Sequence, residues 1–507
     1  MIDNATVVFG PPGCGKTHFL LDRVEEALES GVPPSQIVFV GFTRKAIREA
    51  LSRACSKFNL SEKDFPYFKT LHALAFHTLG LKHSDVISSD DLVVLGKDLG
   101  LDFRSQPLDL DEGGIPVFAN ESGSKYLFHI DRARYRGVTL EKEFNDAHNY
   151  DLNYWQMEKV AKVYEDYKLV THKMDFVDMI EQFIAQPVVP YSRLLIVDEA
   201  QDLNHMQWLM VRKLFENSDG GYIAGDDDQA IYAFSGAEVS EFLNISDKKI
   251  LLDQSYRLPK AILDFSKTIT RQIRQREEKE FRPRDEEGLV QWHLSFDTLP
   301  IDNGEEWTIM TRVNTHMYEF ARRLRDEGYV YSVKGKSSIN QKKAQAILSW
   351  RKLQSGGKLW LREVKEMYEQ MAKQGPRATV RRGSSTLLEA ADYETPYSYE
   401  DLLEYGLLAP KDQDAMDIAQ LPPRERLYFE SVERKGINLS DPPKIKLSTF
   451  HAMKGGQDDN IAVYLGTTRA CYEGDPDDEH RAFYVAVTRA KKALHILESD
   501  KKYRYLL

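Results

Sequence analysis

Short runs of Val, Ile and Leu, each closed by turn residues, recur along the chain. They are ATVVF at Ala5–Phe9, QIVFVGF at Gln36–Phe42, SRLLIVDEA at Ser192–Ala200, GGYIAGD at Gly220–Asp226 and KKILLD at Lys248–Asp253. EWTIMTR at Glu306–Arg312, KIKLSTF at Lys444–Phe450, NIAVYLG at Asn460–Gly466 and ALHIL at Ala493–Leu497 continue the series. A run that is apolar throughout, rather than alternating, predicts a strand covered on both faces, as in a parallel sheet. Helical periodicity fills the intervals, so the pattern predicts an α/β chain with at least one doubly wound parallel sheet. Two tracts break the rhythm. Residues 82–187 are mostly helical in pattern, as in NYWQMEKVAKVYEDYKLV, with a Gly/Pro/Asp-rich loop at Pro107–Gly123. Residues 335–443 mix helical pieces with polar loops at GGK, QGPR, RRGSS and LPPRE. Both are expected to be insertions into α/β cores, and no internal repeat is visible.

Composition bounds the reading. With 507 residues and 42% apolar content, the chain can pack several cores. No apolar stretch reaches the length of a membrane span, and no basic-then-apolar leader opens the chain, so a cytoplasmic protein with no membrane partner is expected. Cys14, Cys55 and Cys471 form no C-x-x-C pair, which argues against disulfides and structural zinc. His72 and His77, five apart, do not share a helix face as metal ligands would. A net charge of −11 argues against a nucleic-acid coat protein while allowing a narrow basic channel. Charge is segregated: Lys334–Arg382 holds thirteen Lys or Arg against three Glu, whereas Glu389–Asp417 holds nine acids and one Lys. Two solvated surfaces, or a patch that faces nucleic acid, both fit that pattern.

The first apolar run leads straight into Gly10, Pro11, Pro12, Gly13, Cys14, Gly15, Lys16 and Thr17, which fits G-x-x-x-x-G-K-[ST] ahead of a helical segment. Backbone N–H groups in such a loop converge on phosphate oxygens and the helix adds its positive end. Lys16 neutralises the terminal phosphates, and Thr17 offers a hydroxyl to Mg²⁺. Cys14 is expected to be a small filler. Downstream, LLIVDEAQD ends a buried run with adjacent carboxylates. Asp198 can hold Mg²⁺, mostly through water, and Glu199 can accept a proton from attacking water. Solvated acids at a strand end are ordinary, but behind a phosphate loop they predict an ATP-hydrolysing site.

DEAQD, GDDDQAIYAFSGA at Gly225–Ala237, LDQSYR at Leu252–Arg257, STFHAMKGGQ at Ser448–Gln457 and YVAVTRAK at Tyr484–Lys491 then follow in order. This series resembles that of the UvrD/Rep/PcrA-like superfamily 1A DNA helicases, from Gly10 to Lys491. FTRKAIREAL, TLHALAF, DFVDMI and NQKKAQAILSWRKL add matches. The resemblance implies two RecA-like P-loop NTPase cores with parallel sheets, each carrying a mainly helical insertion. Residues 1–85 and 188–255 would form the first core and 86–187 its insertion. Residues 256–336 and 443–507 would form the second core, and 337–442 a reduced insertion.

The resemblance also implies residue roles. Gln229 would contact the γ-phosphate and attacking water, and Arg257 and Arg489 would reach that phosphate from the second core. Guanidinium groups there contribute about 10³–10⁵ in rate, and placing them on the opposite core would couple hydrolysis to closure. DNA contacts map to Phe42, Thr43, Tyr232, Phe234, Asn314 and His451, with Thr70 and His72 touching the backbone. Rings stack on bases without choosing sequence. If Tyr232 and Phe234 lie on a strand with Ile231 and Ala233 between, only one parity can face DNA. Departures stand out. Phe234 replaces the usual Trp, Ser235 the Arg that follows it, and Gln457 a Glu near the ribose; GQDDN replaces a hydrophobic-acid-aromatic run after Gly455. With nine residues before Gly10, the family's adenine-reading glutamine segment is not expected. Tyr256 and His18 are then expected to hold the base, with looser selection of ATP. Nor is a nuclease domain or long tail expected after Arg489.

The implied activity is that of an ATP- and Mg²⁺-dependent 3′→5′ helicase acting on single-stranded DNA and single-strand/duplex junctions. Replication or repair proteins would be its partners, and the host cytoplasm its location if the compact chain is phage-encoded. A translocase that strips proteins with little unwinding, and a static nucleotide-switched scaffold, are the rivals. RNA as the strand stays open.

Overall fold

The computed structural model describes residues 1–42, 44–103, 122–147 and 152–507, with the backbone alone at 44–46. It divides into two compact units: residues 1–288 with 473–488 and 507, and residues 289–472 with 489–506.

The sheet of the first unit runs β3-β2-β4-β5-β1-β6, where β1 is Ala5–Phe9, β2 Ile37–Gly41, β3 Phe68–Thr70, β4 Leu194–Asp198, β5 Gly221–Gly225 and β6 Lys249–Leu251. All its pairings are parallel. The apolar runs are continuous because both faces are covered. Val7, Val38, Val40, Leu195 and Val197 pack into one core with the helices Leu71–Thr78, Phe176–Ala185 and His205–Glu216. Their neighbours Val8, Ile37, Phe39, Leu194 and Ile196 pack into another with Leu20, Leu21 and Val24 of the helix Lys16–Glu29. Successive strand residues point to opposite faces, so each run feeds two cores at once.

The first helical tract has its own core, in which Leu92, Leu95 and Leu99 meet Tyr126, Ile130, Met157, Val160 and Tyr164. These come from the helices Ser89–Leu99, Ser122–Tyr135 and Tyr154–Thr171. The loop expected at 107–123 lies, up to residue 121, outside the described residues.

The sheet of the second unit runs β10-β9-β11-β8-β12-β13-β7, with β7 Leu289–His293, β8 Trp307–Thr311, β9 Tyr331–Val333, β10 Lys336–Ser337, β11 Ile445–Thr449, β12 Asp458–Tyr464 and β13 Ala490–Leu497. Only the β9–β10 hairpin is antiparallel. The second tract folds on a separate core of Ile347, Trp350, Leu353, Leu361, Val364 and Phe429, mostly from the helices Gln341–Gln354, Leu361–Gln370 and Pro423–Arg434. The α/β class is as the apolar pattern predicts, and two parallel-dominated sheets with helical tracts are as the resemblance implies. No described helix is long and apolar enough to cross a membrane.

Candidate active site

Four neighbouring strands of the first sheet, β4, β5, β1 and β6, run in the same direction, so their carboxyl ends lie side by side. That edge is where open parallel sheets bind ligands. The loop after β1 turns into the helix Lys16–Glu29 through Gly13 and Gly15, both left-handed at φ +73° and +81°. Lys16 Nζ donates to the Gly10 carbonyl at 2.9 Å. Burial opposes the lysine's charge, but Cys14, Glu199, Asp226 and Asp198 outweigh it and hold its pKa above the ordinary value. Cys14 is buried, and burial pushes its thiol up, in keeping with a filler.

The segment after β6 closes on this loop. Ser255 Oγ donates to the Pro12 carbonyl at 2.7 Å and the Tyr256 N–H to the Gly13 carbonyl at 2.9 Å. A Cβ on Gly13 would fall 2.3 Å from Arg257 Cβ, so this close approach also demands glycine. The resemblance puts Arg257 on the second core, whereas the structure places it in the first unit against the phosphate loop. The cause is topological: β6 is the edge partner of β1, so the chain leaving it passes the loop that leaves β1. Burial lowers the Arg257 pKa, opposed by the Glu199 charge. Tyr256 is 71% exposed and the His18 side chain 74% exposed, His18 lying 3.8 Å from Asp22.

At the end of β4, Thr17 Oγ1 lies 3.5 Å from Asp198 Oδ2, and Asp198 Oδ1 accepts the Glu199 N–H at 2.9 Å. Glu199 adopts a left-handed φ of +53°, a strained conformation for a residue with a side chain. Burial and the Glu199 charge push Asp198 up to about 7 against the pull of Lys16. A buried acid whose charge burial and a neighbouring carboxylate disfavour, beside a hydroxyl, is a donor set that fits Mg²⁺.

The turn after β5 carries three buried aspartates and Gln229. Gln229 Nε2 donates to Asp226 Oδ2 at 2.7 Å. Lys279 Nζ, fully inside, meets Asp226 at 3.2 Å and Asp228 at 3.1 Å and bonds Asp227. Arg276 forks onto Asp228 with two bonds of 2.8 Å, and Arg481 Nε donates to the Asp227 carbonyl at 3.0 Å. Burial raises Asp227 to about 6 despite Lys279, whereas Lys279 and Arg276 overcome burial at Asp228 and lower it. Sequence reasoning missed Lys279, Arg276, Arg481, Ser255 and Gln201. Gln201 and Ser255 stood inside motifs; the others reach the site through tertiary contacts.

The second unit holds Gln457 and Arg489. Arg489, buried at the start of β13, donates from Nη1 to the Gly456 carbonyl at 3.5 Å, and Gln457 is exposed beside it in the chain.

The residues expected at DNA fall into groups. Phe42, Tyr232 and Phe234 form a row of rings with centroids 4.9 and 5.9 Å apart. The segment is not a strand: a 3₁₀ turn at Ala233–Ser235 removes the parity limit and brings Tyr232 and Phe234 together. Phe234 is 42% exposed, whereas Phe42 is buried, so Phe42 supports the row and cannot itself stack on a base. Thr70 and His72 are corrected as well. Thr70 is buried and its hydroxyl caps the helix Leu71–Thr78 by accepting the Ala73 N–H. His72 is wholly buried with the Tyr135 hydroxyl 3.3 Å from Nε2, so neither side chain reaches a DNA backbone. Thr43 lies outside the described residues. Asn314 is exposed just past β8 and His451 half-buried just past β11, two parallel neighbours paired at Thr311 and Thr449.

Residues 1–250 match the UvrD/REP helicase N-terminal domain, and residues 409–501 match the UvrD-like helicase C-terminal domain. A "Probable DNA helicase II homolog" of Mycoplasma capricolum is 25% identical over 309 residues, 57% of this chain and 42% of that protein. Another of that description, from Mycoplasma genitalium, is 22% identical over 588 residues, 97% of this chain and 82% of that protein. "ATP-dependent DNA helicase PcrA" of Bacillus subtilis is 25% identical over 363 residues, 66% of this chain and 46% of that protein. The chain thus spans less than half the length of two of these three relatives.

Proposed function

The chain belongs to the UvrD-like helicase family, and from that premise we propose that it is an ATP- and Mg²⁺-dependent motor that moves 3′→5′ along single-stranded DNA and unwinds duplex. The observation that carries the hydrolytic half is the convergence of Lys16, Thr17, Asp198, Glu199, Gln229 and Arg257 at four adjacent strand ends. A static nucleotide switch would need neither a base nor a water-orienting glutamine.

In this reading Lys16 and the loop N–H groups hold the β- and γ-phosphates. Thr17 and Asp198 hold Mg²⁺, which supplies charge neutralisation to the phosphates. Glu199 takes the proton of the attacking water, and Gln229 orients that water. Arg257, desolvated against the loop, stabilises charge developing on the transferred group. Arg489 adds a second guanidinium from the other unit. Phe234, backed by Tyr232, stacks on a base, a contact worth about 1–3 kcal/mol that tolerates any sequence. Asn314 and His451 contact the same strand in the second unit. Tracts 86–187 and 337–442 serve as accessory insertions, and Tyr256, His18 and Gln457 contact base and ribose.

Lys16→Ala and Glu199→Gln are each expected to lower DNA-stimulated ATP turnover by at least about 100-fold. Strand displacement on a 3′-tailed duplex, absent on a 5′-tailed one and without ATP, is the expected helicase result. Translocation without displacement would favour a protein-stripping translocase, and equal stimulation by matched RNA would widen the substrate.

A further inference from the structure

Gln201, the fourth residue of DEAQD, has no solvent exposure, and its carboxamide is used at both ends. Its Nε2 donates to Glu199 Oε2 at 2.7 Å and to Asp202 Oδ2 at 3.1 Å. Its Oε1 accepts the backbone N–H of Asp226 at 3.1 Å. Asp226 in turn accepts the Gln229 amide at 2.7 Å through Oδ2 and faces Lys279 at 3.2 Å through Oδ1. One unbroken chain of hydrogen bonds therefore joins Glu199 at the end of β4 to Gln229 beyond β5. Rotating the carboxamide would break bonds at both its ends.

The backbone is shaped to admit this bridge. A Cβ on Gly225, the last residue of β5, would lie 2.5 Å from Gln201 Oε1 and 2.8 Å from the Phe242 ring. Gly225 is thus needed for close approach. Glu199 itself is held at a φ of +53°, a conformation that surrounding bonds must maintain.

We propose that Gln201 is a positioning residue for hydrolysis: it fixes the direction of the Glu199 carboxylate and ties it to the turn bearing Gln229, so that base and water-orienting glutamine are placed together. This rests on the assignment of Glu199 as base. Without the bridge the Glu199 carboxylate loses the amide donor that orients it, and the β4 end loses its tie to the backbone of Asp226. Lys279 anchors the same line from below through Asp226.

The test uses the full chain with Gln201→Leu, which removes both ends of the bridge, and Gln201→Asn, whose amide is one methylene short. DNA-stimulated ATPase is measured, and nucleotide affinity with a fluorescent ADP. Both variants are expected to lose about 10- to 100-fold in kcat while nucleotide affinity stays within about threefold. Gln201→Leu combined with Gln229→Ala should cost less than the sum of the two separately, because both cut one chain. An unchanged kcat overturns the proposal. So does a loss with an additive double variant, or a loss of nucleotide affinity in both variants, which would make Gln201 simply structural. Glu199→Gln is run alongside. If it still turns over ATP, the assignment of the base fails; if it is inactive while both Gln201 variants match the parent chain, only the positioning role fails.

Discussion

His72 shows what a side chain's direction does to a motif residue. TLHALAF marks a segment next to the proposed DNA path, yet its histidine points inward against Tyr135 and Phe176. Burial pulls its imidazole down to about 4, the nearby Asp175 charge opposing the shift. The sign of the consequence follows. The unfolded chain binds a proton below about pH 6.5 and the folded chain resists until about 4, so stability from this site is complete above 6.5 and drains away as pH falls through that window. The full loss is on the order of 3 kcal/mol. The protection of amides across Leu71–Thr78, after correction for the intrinsic pH dependence of exchange, should fall between pH 7 and 5, and His72→Gln, which cannot titrate, should flatten that fall. Equal pH dependence in both chains would assign the effect elsewhere. The same residue scale shows which parts of the site were legible. Lys16, Thr17, Asp198 and Glu199 are fixed by local spacing on a strand end, so sequence alone places them. Phe42, Thr70 and His72 were misassigned because a motif locates a segment without saying which way each side chain faces. Lys279 lies about fifty residues beyond the aspartates it neutralises, and no periodicity reports such a pair.

Elements were legible mainly where an apolar run is long. All nine apolar runs contain strands, most of them buried on both faces, although the edge strand β6 is legible with Lys249 and Leu251 exposed. The four strands without such a signal are β3, three residues long, β10, two residues long, β9, and β7, an edge strand with one side of its backbone unpaired within the described sheet. The turn at Ala233–Ser235 escaped because tertiary packing of Tyr232 on Phe42 overrides an apolar alternation. The basic tract resolves into two populations. Lys342, Lys343, Arg351, Lys352 and Arg362 each face a glutamate within the same tract and so serve its fold. Lys373, Arg377, Arg381 and Arg382 lie exposed on the connection after the helix Leu361–Gln370, which is tied down where the Arg381 N–H donates to the Gly406 carbonyl at 2.8 Å. A fixed loop with four exposed cations suits duplex phosphate. Reversing all four charges should weaken duplex binding at low salt and reduce the slope of log affinity against log salt by up to about 4, roughly one for each phosphate no longer neutralised. Duplex affinity that does not change at low salt would mark the loop as merely solvated.

At the scale of the whole molecule, the proposed chemistry is unevenly divided between the two units. Lys16, Thr17, Asp198, Glu199, Gln229 and Arg257 all belong to the first, which therefore carries the groups proposed as phosphate cradle, cation site, base and one guanidinium. Arg489 and Gln457 belong to the second, together with Asn314 and His451. Arg257 lies against the loop, so it cannot by itself make turnover depend on the second unit. In the proposed motor that dependence is assigned to Arg489. If Arg489 serves only the transition state, its loss leaves ground-state binding untouched, and the whole cost appears in kcat. Arg489→Ala should hold a non-hydrolysable ATP analogue within about threefold of the parent affinity while turnover falls about 10³-fold. Stimulation by single-stranded DNA should vanish with it, because the residues of the second unit proposed to contact the strand then have no catalytic group of their own unit to act through. Arg489→Lys restores charge but not the planar fork, and recovers only part of the rate. A variant that still hydrolyses ATP in response to DNA would confine catalysis to the first unit and leave the motor reading without its coupling.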